Sequence, residues 1–202
     1  MPLENIGIGK EHWPSEYPKA TKDTLLVCAG GHSVWDDLQR VGFPNHQPES
    51  QPYDIMCIND VYMHFPGRVL HFYSNDRSWM PKWLAARREL YTLEFGGAKY
   101  THSLRHGAAY NWPWPGHGTS SLNGVYCGLA MGYAKIILCG VPLDNGPHYF
   151  EAPWRKTRFE NEVPNRENGT MAYWTNAKNR VFDGRVFSMS GRTRDLLGEP
   201  VE

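Results

Sequence analysis

The segment His117–Tyr149, HGTSSLNGVYCGLAMGYAKIILCGVPLDNGPHY, decides how the rest of the chain is read. Small polar residues, Gly118-Thr119-Ser120-Ser121, open an apolar helical run from Leu122 to Met131. Gly132-Tyr133 closes that run, Lys135 follows, and Ile136-Ile137-Leu138-Cys139 has the composition of a buried strand. Gly140 ends the strand, and the loop beyond it carries Asp144, Asn145, His148 and Tyr149. Helix, turn, buried strand and polar loop in this order predict an α/β unit, and in parallel sheets ligands sit at the carboxyl ends of the strands. Thr119 or Ser120 is placed to cap the helix, whose unpaired amides and positive dipole favour a phosphate or carboxylate. A cap that serves the helix alone is the competing reading of these hydroxyls.

Working outward, the amino-terminal half repeats the strand-then-polar-loop pattern. Thr24–Ala29 is an apolar run ending in Gly30-Gly31-His32-Ser33, and Val34–Val41 reads as a helix with Trp35 and Leu38 on one face. Paired glycines let backbone amides approach a phosphate, although tight strand-to-helix turns use them for steric reasons too. A second strand, Asp54–Ile58, ends on Asn59-Asp60, and a third, Arg68–Tyr73, ends on Ser74-Asn75-Asp76. Each of these residues alone suits a turn. Their recurrence at three strand ends, which a parallel sheet gathers on one edge, predicts a site where amide side chains read a base and a ribose.

Trp79–Leu93 reads as a helix with Trp79, Trp83, Leu84 and Leu90 on its apolar face and Lys82, Arg87, Arg88 and Glu89 exposed. Lys99–His102 is a candidate fourth strand, Met171–Val181 a candidate helix and Arg185–Met189 a last strand. The prediction is one Rossmann-like parallel α/β sheet with helices on both faces and a small lid, preceded by an arm over residues 1–22. The domain spans 23–202, with lid or wall segments near 103–117 and 150–175.

Twenty-one Lys and Arg balance twenty-one Asp and Glu, so the chain lacks the basic surplus of a dedicated nucleic-acid binder. Cys28, Cys57, Cys127 and Cys139 form no CxxC pair and read as small buried hydrophobes in a reducing compartment. With no apolar stretch long enough for a membrane span and no secretory signal at the amino terminus, a cytoplasmic protein is expected. His102 and His106 stand four apart, as zinc ligands on a helix can, but no acidic or cysteine partner has a matching spacing.

With these blocks in view, the chain resembles glycosyltransferase family 42, the bacterial CMP-sialic acid-dependent sialyltransferases, and their bacterial and phage relatives. LLVCAGGHSVWDDL is similar to the family's first strand and glycine loop, YDIMCINDVYM to its second strand, and VLHFYSND to its third. GTSSLNGVYCGLAMGYAKIILCG is the most specific block. The resemblance implies a CMP-linked sugar as donor substrate, with no metal and no further cofactor. It implies a nucleotide pocket at Asn59, Ser74 or Asn75, and Thr119, Ser120 and Ser121, with Gly30, Gly31 and Ser33 in the glycine loop. Tyr149 takes the place of a tyrosine that hydrogen-bonds the departing phosphate. The pattern departs where the family's loop asparagine and proline are Gly30 and His32, and where Pro142 follows Gly140-Val141. The family's catalytic histidine lies further downstream, whereas His148 is the last histidine of these 202 residues.

Glycosyl transfer needs a phosphate cradle, a leaving-group stabiliser and a base for the acceptor hydroxyl. The helix amides after Ser120 suit the first and Tyr149 the second. His148 is the candidate base, with Asp144 and His32 as alternatives. Two other readings stay open: a hydrolase of a nucleoside or nucleotide glycosidic bond, and a nucleotide-binding module without catalysis. The expected partners are a nucleotide or nucleotide sugar and an acceptor of unknown identity, with a homo-oligomer possible.

Overall fold

A computed structural model describes residues 3–43, 51–91, 97–104, 108–115, 119–144, 146–151 and 166–201. Among the described residues, seven strands form one sheet: β1 (Thr24–Cys28), β2 (Tyr53–Ile58), β3 (His71–Tyr73), β4 (Tyr100–Ser103), β5 (Tyr110–Asn111), β6 (Lys135–Cys139) and β7 (Val186–Ser188). Their order is β5-β4-β3-β2-β1-β6-β7, and every neighbouring pair is parallel. The chain builds outward from β1 to β5 and then returns to lay β6 on the other side of β1. The strand order therefore reverses between β1 and β6, the crevice where open α/β sheets bind ligands.

Strand side chains alternate between two cores, as the period of two requires. Leu25, Val27, Met56, Ile58, Ile136 and Leu138 face one core; Leu26, Cys28, Ile55, Cys57, Ile137 and Cys139 face the other. Covered on both sides, these strands read in sequence as continuous apolar runs. The first core is roofed by α4 (Ser120–Met131) and by the end of α5 (Arg166–Ala177), which continues as a π-helical turn, Lys178–Phe182. The second is roofed by α1 (Val34–Arg40), α2 (Val61–His64) and α3 (Met80–Leu90). A short helix, α6 (Gly191–Leu197), follows β7. Helix α4 is apolar nearly all round, as a buried helix is. A Cβ at Gly124 would come 2.7 Å from Ile58, and one at Gly128 2.8 Å from Leu25, so these glycines let α4 lie close on β1 and β2.

Several expectations needed correction. The third strand begins at His71 rather than Arg68, since the Pro66-Gly67 turn leaves Arg68 and Val69 outside the ladder. The fourth strand ends on Ser103, and the segment after it supplies an added edge strand, β5, where a wall or lid was expected. Trp112 and Trp114 then enter the first core, because apolar rings of that size gain more from burial than from lining a surface. They meet Trp13 and Tyr17 of the amino-terminal segment, which with Leu3, Ile6 and Ala20 packs against the first core. His106, residues 116–118 and 152–165 of the expected lid segments and Asn145 lie outside the described residues.

The face assignment of α3 holds for Trp83 and Leu84, which pack against the second core, and for exposed Lys82, Arg88 and Glu89, but it fails at Trp79, Arg87 and Leu90. Trp79 and Leu90 are 47% and 59% exposed, while Met80 and Arg87, seven apart, are buried. Arg87 lies inward because its guanidinium donates to the carbonyls of Tyr62 (2.5 Å), Phe65 (3.0 Å) and Gly67 (2.6 Å), at the carboxyl end of α2. Carbonyls left over at a helix end are natural partners for a cation.

Candidate functional site

The carboxyl ends of β1, β2 and β3 lie side by side, with the amino terminus of α4 next to β3 and the loop after β6 next to β1. At the β3 end, the Ser74 hydroxyl donates to Asn59 Oδ1 (2.8 Å) and accepts the Asp76 amide (2.9 Å). Asn59 has φ +55°, a left-handed backbone that asparagine tolerates better than most residues. Asn75 Oδ1 accepts the Tyr73 hydroxyl (2.8 Å) and Asn123 Nδ2 (3.2 Å), and its amide points to Ser120 Oγ at 3.4 Å. Asn123 is fully buried, and its Oδ1 has no hydrogen-bond partner.

The three hydroxyls at the start of α4 differ in their use. Thr119 is the cap: its Oγ1 accepts the Leu122 amide (3.2 Å) and pairs with the Ser121 hydroxyl (3.0 Å). Ser120 is left facing the β3 end. Helix amides beside it keep the dipole that favours an anion.

On the β1–β6 side, Gly31 forms an isolated antiparallel bridge with His148, and the Tyr149 amide donates to the Gly30 carbonyl (3.1 Å). A Cβ at Gly30 would stand 3.0 Å from His148 Nδ1 and 3.4 Å from Asp60 Oδ1, so His148 and Asp60 meet across the missing side chain. The imidazole stacks on Phe150 (5.5 Å between ring centres). Tyr149 packs edge-on to Trp35 and His64 and donates its hydroxyl to the Asp60 carbonyl at 3.4 Å. Burial, and then Asp60, raise the Tyr149 phenol well above its usual range, so it stays a proton-bearing donor. Burial also pushes the Asp60 carboxyl up, against the opposing pull of its own backbone, His148, Tyr149 and His64.

The structure thus gathers Gly30, Gly31, Asn59, Ser74, Asn75, Ser120, His148 and Tyr149 along one edge. Ser33 and Asp144 are tied up elsewhere. Ser33 Oγ joins Asp37 (3.0 Å) and Ser190 (2.7 Å), and Asp37 also accepts the Gly140 amide (2.9 Å), riveting the ends of β1, β6 and β7 together. Asp144 accepts the Gly146 amide and pairs with His32 Nε2 at 3.2 Å, on a half-exposed rim. Sequence reasoning left Asp60, Asn123 and Asp37 without roles. Asn123, a lone amide inside an apolar helix, was the one readable signal. His102 is buried with both ring nitrogens engaged by Trp112 and His71, so it has none to offer a metal.

All four cysteines are buried and free. Among the described residues no helix is long and apolar enough to cross a membrane.

No family model and no curated protein sequence matches the chain. Two solved structures do. The monofunctional alpha-2,3-sialyltransferase Cst-I from Campylobacter jejuni superposes with a TM-score of 0.59 at 12% identity, over 93% of this chain and 84% of that one. The sialyltransferase CstII from Campylobacter jejuni, solved in complex with the substrate analogue CMP-3FNeuAc, gives 0.54 at 11% identity over 89% of both chains. The chain shares their fold.

Proposed function

We propose that this protein is a glycosyltransferase-like enzyme that moves a sugar from a pyrimidine nucleotide sugar, of the CMP–sialic acid type, to an acceptor hydroxyl. The observation that carries the reading is the meeting of Asn59, Ser74, Asn75 and Ser120 with the His148-Tyr149 loop at the strand ends, in a fold shared with sialyltransferases. In this reading the amides of Asn59 and Asn75 hold the base and ribose. Ser120 and the first amides of α4 hold the phosphate, and the Tyr149 phenol, turning from its long bond to the Asp60 carbonyl, donates to the oxygen on which charge develops. His148 Nδ1, buried and without a hydrogen-bond partner, accepts the acceptor's proton. As the acceptor O–H bond breaks, the oxygen bonds to the anomeric carbon. The anomeric carbon–phosphate oxygen bond breaks in turn, its electron pair leaving with the nucleotide. No metal is assigned a part.

Calorimetry with CMP, and transfer assays with CMP–sialic acid in the presence of a chelator, test the reading. Ser120→Ala is expected to weaken CMP binding by about 1 kcal/mol, the usual worth of one hydrogen bond. His148→Ala should lower turnover by roughly 100-fold or more while leaving CMP affinity in place. Full turnover in His148→Ala removes it as the base and turns attention to the His32–Asp144 pair. Release of sugar to water alone would make the protein a hydrolase, and CMP binding without turnover a non-catalytic module.

A further inference from the structure

The buried stretch of α4 from Leu122 to Met131 carries one side-chain amide, Asn123, which is fully buried with Oδ1 unpartnered. An apolar side chain of the same size would avoid that cost, so the amide calls for a reason. The reason lies at the β3 end. Asn123 stands three residues after Ser120, on the same face of the helix, and both reach Asn75. Asn75 Oδ1 accepts Asn123 Nδ2 (3.2 Å) and the hydroxyl of the fully buried Tyr73 (2.8 Å), and Asn123 also hydrogen-bonds that hydroxyl. A carbonyl oxygen has two lone pairs, and these two donors use both. Turning both amides over would preserve the ring of bonds but orphan the buried Asn123 NH2 group in place of its oxygen. Unpartnered N–H groups are the rarer of the two in folded proteins.

Building on the transferase reading, we propose that Asn123 and Tyr73 are positioning residues that hold the Asn75 amide with its oxygen inward, so that the nucleotide meets Asn75 as a hydrogen-bond donor. Asn75 is half-buried at the carboxyl edge of the sheet, whereas Tyr73 and Asn123 are closed off from solvent and act through it. The neighbouring Asn59 Oδ1 is likewise engaged, by the Ser74 hydroxyl at 2.8 Å. Ser120 Oγ takes the Asn75 backbone amide (3.4 Å) and keeps its own hydrogen to give. Together with the first amides of α4, this corner is rich in donors. It suits a phosphate, hydroxyl or carbonyl oxygen of the nucleotide over the amino group of a base, which needs an acceptor.

Two measurements test this. In the ligand-free protein, proton NMR should find the Asn123 side-chain amide protons beside the Tyr73 ring. If the Asn75 amide protons lie there instead, Asn75 offers its oxygen outward and the proposal is overturned, whether or not the protein transfers sugar. In calorimetry with CMP, Asn123→Leu and Tyr73→Phe should each weaken binding about fivefold, the worth of one hydrogen bond. Asn123→Leu should do so with a urea midpoint at or above the native one, since leucine fills a similar volume and leaves no polar group unmade. In an Asn75→Ala background the same two substitutions should shift CMP affinity by less than about twofold, because the group they position is gone. A residue that merely shores up α4 would lower the midpoint and keep its effect on CMP without Asn75. That pattern, or native CMP affinity in both single variants, overturns the proposal. Failure of the native chain to bind CMP removes the transferase reading instead, and the NMR placement then decides the orientation of Asn75 alone.

Discussion

Replacing Arg87 with methionine is expected to cost about 3–5 kcal/mol of folding stability, the penalty typical of removing one side of a buried charged network. The methionine keeps most of the volume but none of the donors. The carbonyls of Tyr62, Phe65 and Gly67 then lose the hydrogen bonds they receive from the fully buried guanidinium. Packing suffers too, because the guanidinium lies over the Tyr62 and Tyr91 rings at 4.9 and 4.5 Å. Lysine should recover only part of the loss, since one ammonium cannot reproduce the fork that reaches three carbonyls. Urea unfolding monitored by tryptophan fluorescence measures this. A drop below about 1 kcal/mol would mean that the carbonyls are satisfied without Arg87.

The second large effect is a loss of stability in mild acid. Five side chains are joined by four hydrogen bonds into one directed chain. Trp112 Nε1 can only donate, so His102 Nδ1 accepts (3.2 Å) and His102 Nε2 carries the proton. That proton points at His71 Nδ1 (3.1 Å), leaving His71 Nε2–H for the Tyr133 oxygen (2.9 Å). Tyr133 in turn donates to Asp54 Oδ2 (2.6 Å), which also accepts the Thr21 amide and hydroxyl. The tautomers follow from this network, and adding a proton to either histidine would set two donors against each other. Burial, and then Lys99, hold His71 down at about 3; burial, and then His71, hold His102 well below its usual value.

For histidines with depressed values, stability is complete above the unfolded value of about 6.5. Below it the unfolded chain takes up protons that the folded chain refuses, so stability falls as pH falls toward 3. The loss approaches about 1.4 kcal/mol per pH unit for each histidine. Asp60, raised by burial, contributes in the opposite direction and offsets part of it. Unfolding free energy measured from pH 7 to 4.5 should therefore decline steeply, and His71→Gln should flatten the slope. A native protein equally stable across that range would contradict the assigned network.

The central strands β1, β2 and β6 were legible because they are short apolar runs rich in Leu, Val, Ile and Cys bounded by glycine or polar residues, a pattern that depends only on local burial. The resemblance to sialyltransferases rested on the same blocks, and the shared fold agrees with it. The strand ends were legible too, since Asn59, Ser74, Asn75 and Ser120 each follow or open an element in plain sequence. What their side chains do was not legible. Thr119, Ser120 and Ser121 look equivalent in a row, but helix geometry gives Thr119 the capping bond and turns Ser120 toward Asn75.

Sequence by itself determined the α/β class, the edge that carries the polar strand ends, and a capped helix start at Thr119 or Ser120. These follow from periodicity and turn chemistry, which act over a few residues. Only the tertiary structure decided that Arg87 is buried, that Trp112 and Trp114 belong to the core, and that His148 meets Asp60 across Gly30 while Asp144 turns away to His32. Those outcomes depend on partners far apart in the chain: 88 residues from Asp60 to His148 by subtraction of their numbers, and 20 to 25 from Arg87 to its carbonyls. A hydrophobic pattern specifies which face is inward; it does not specify which distant carbonyl or carboxylate will be waiting there.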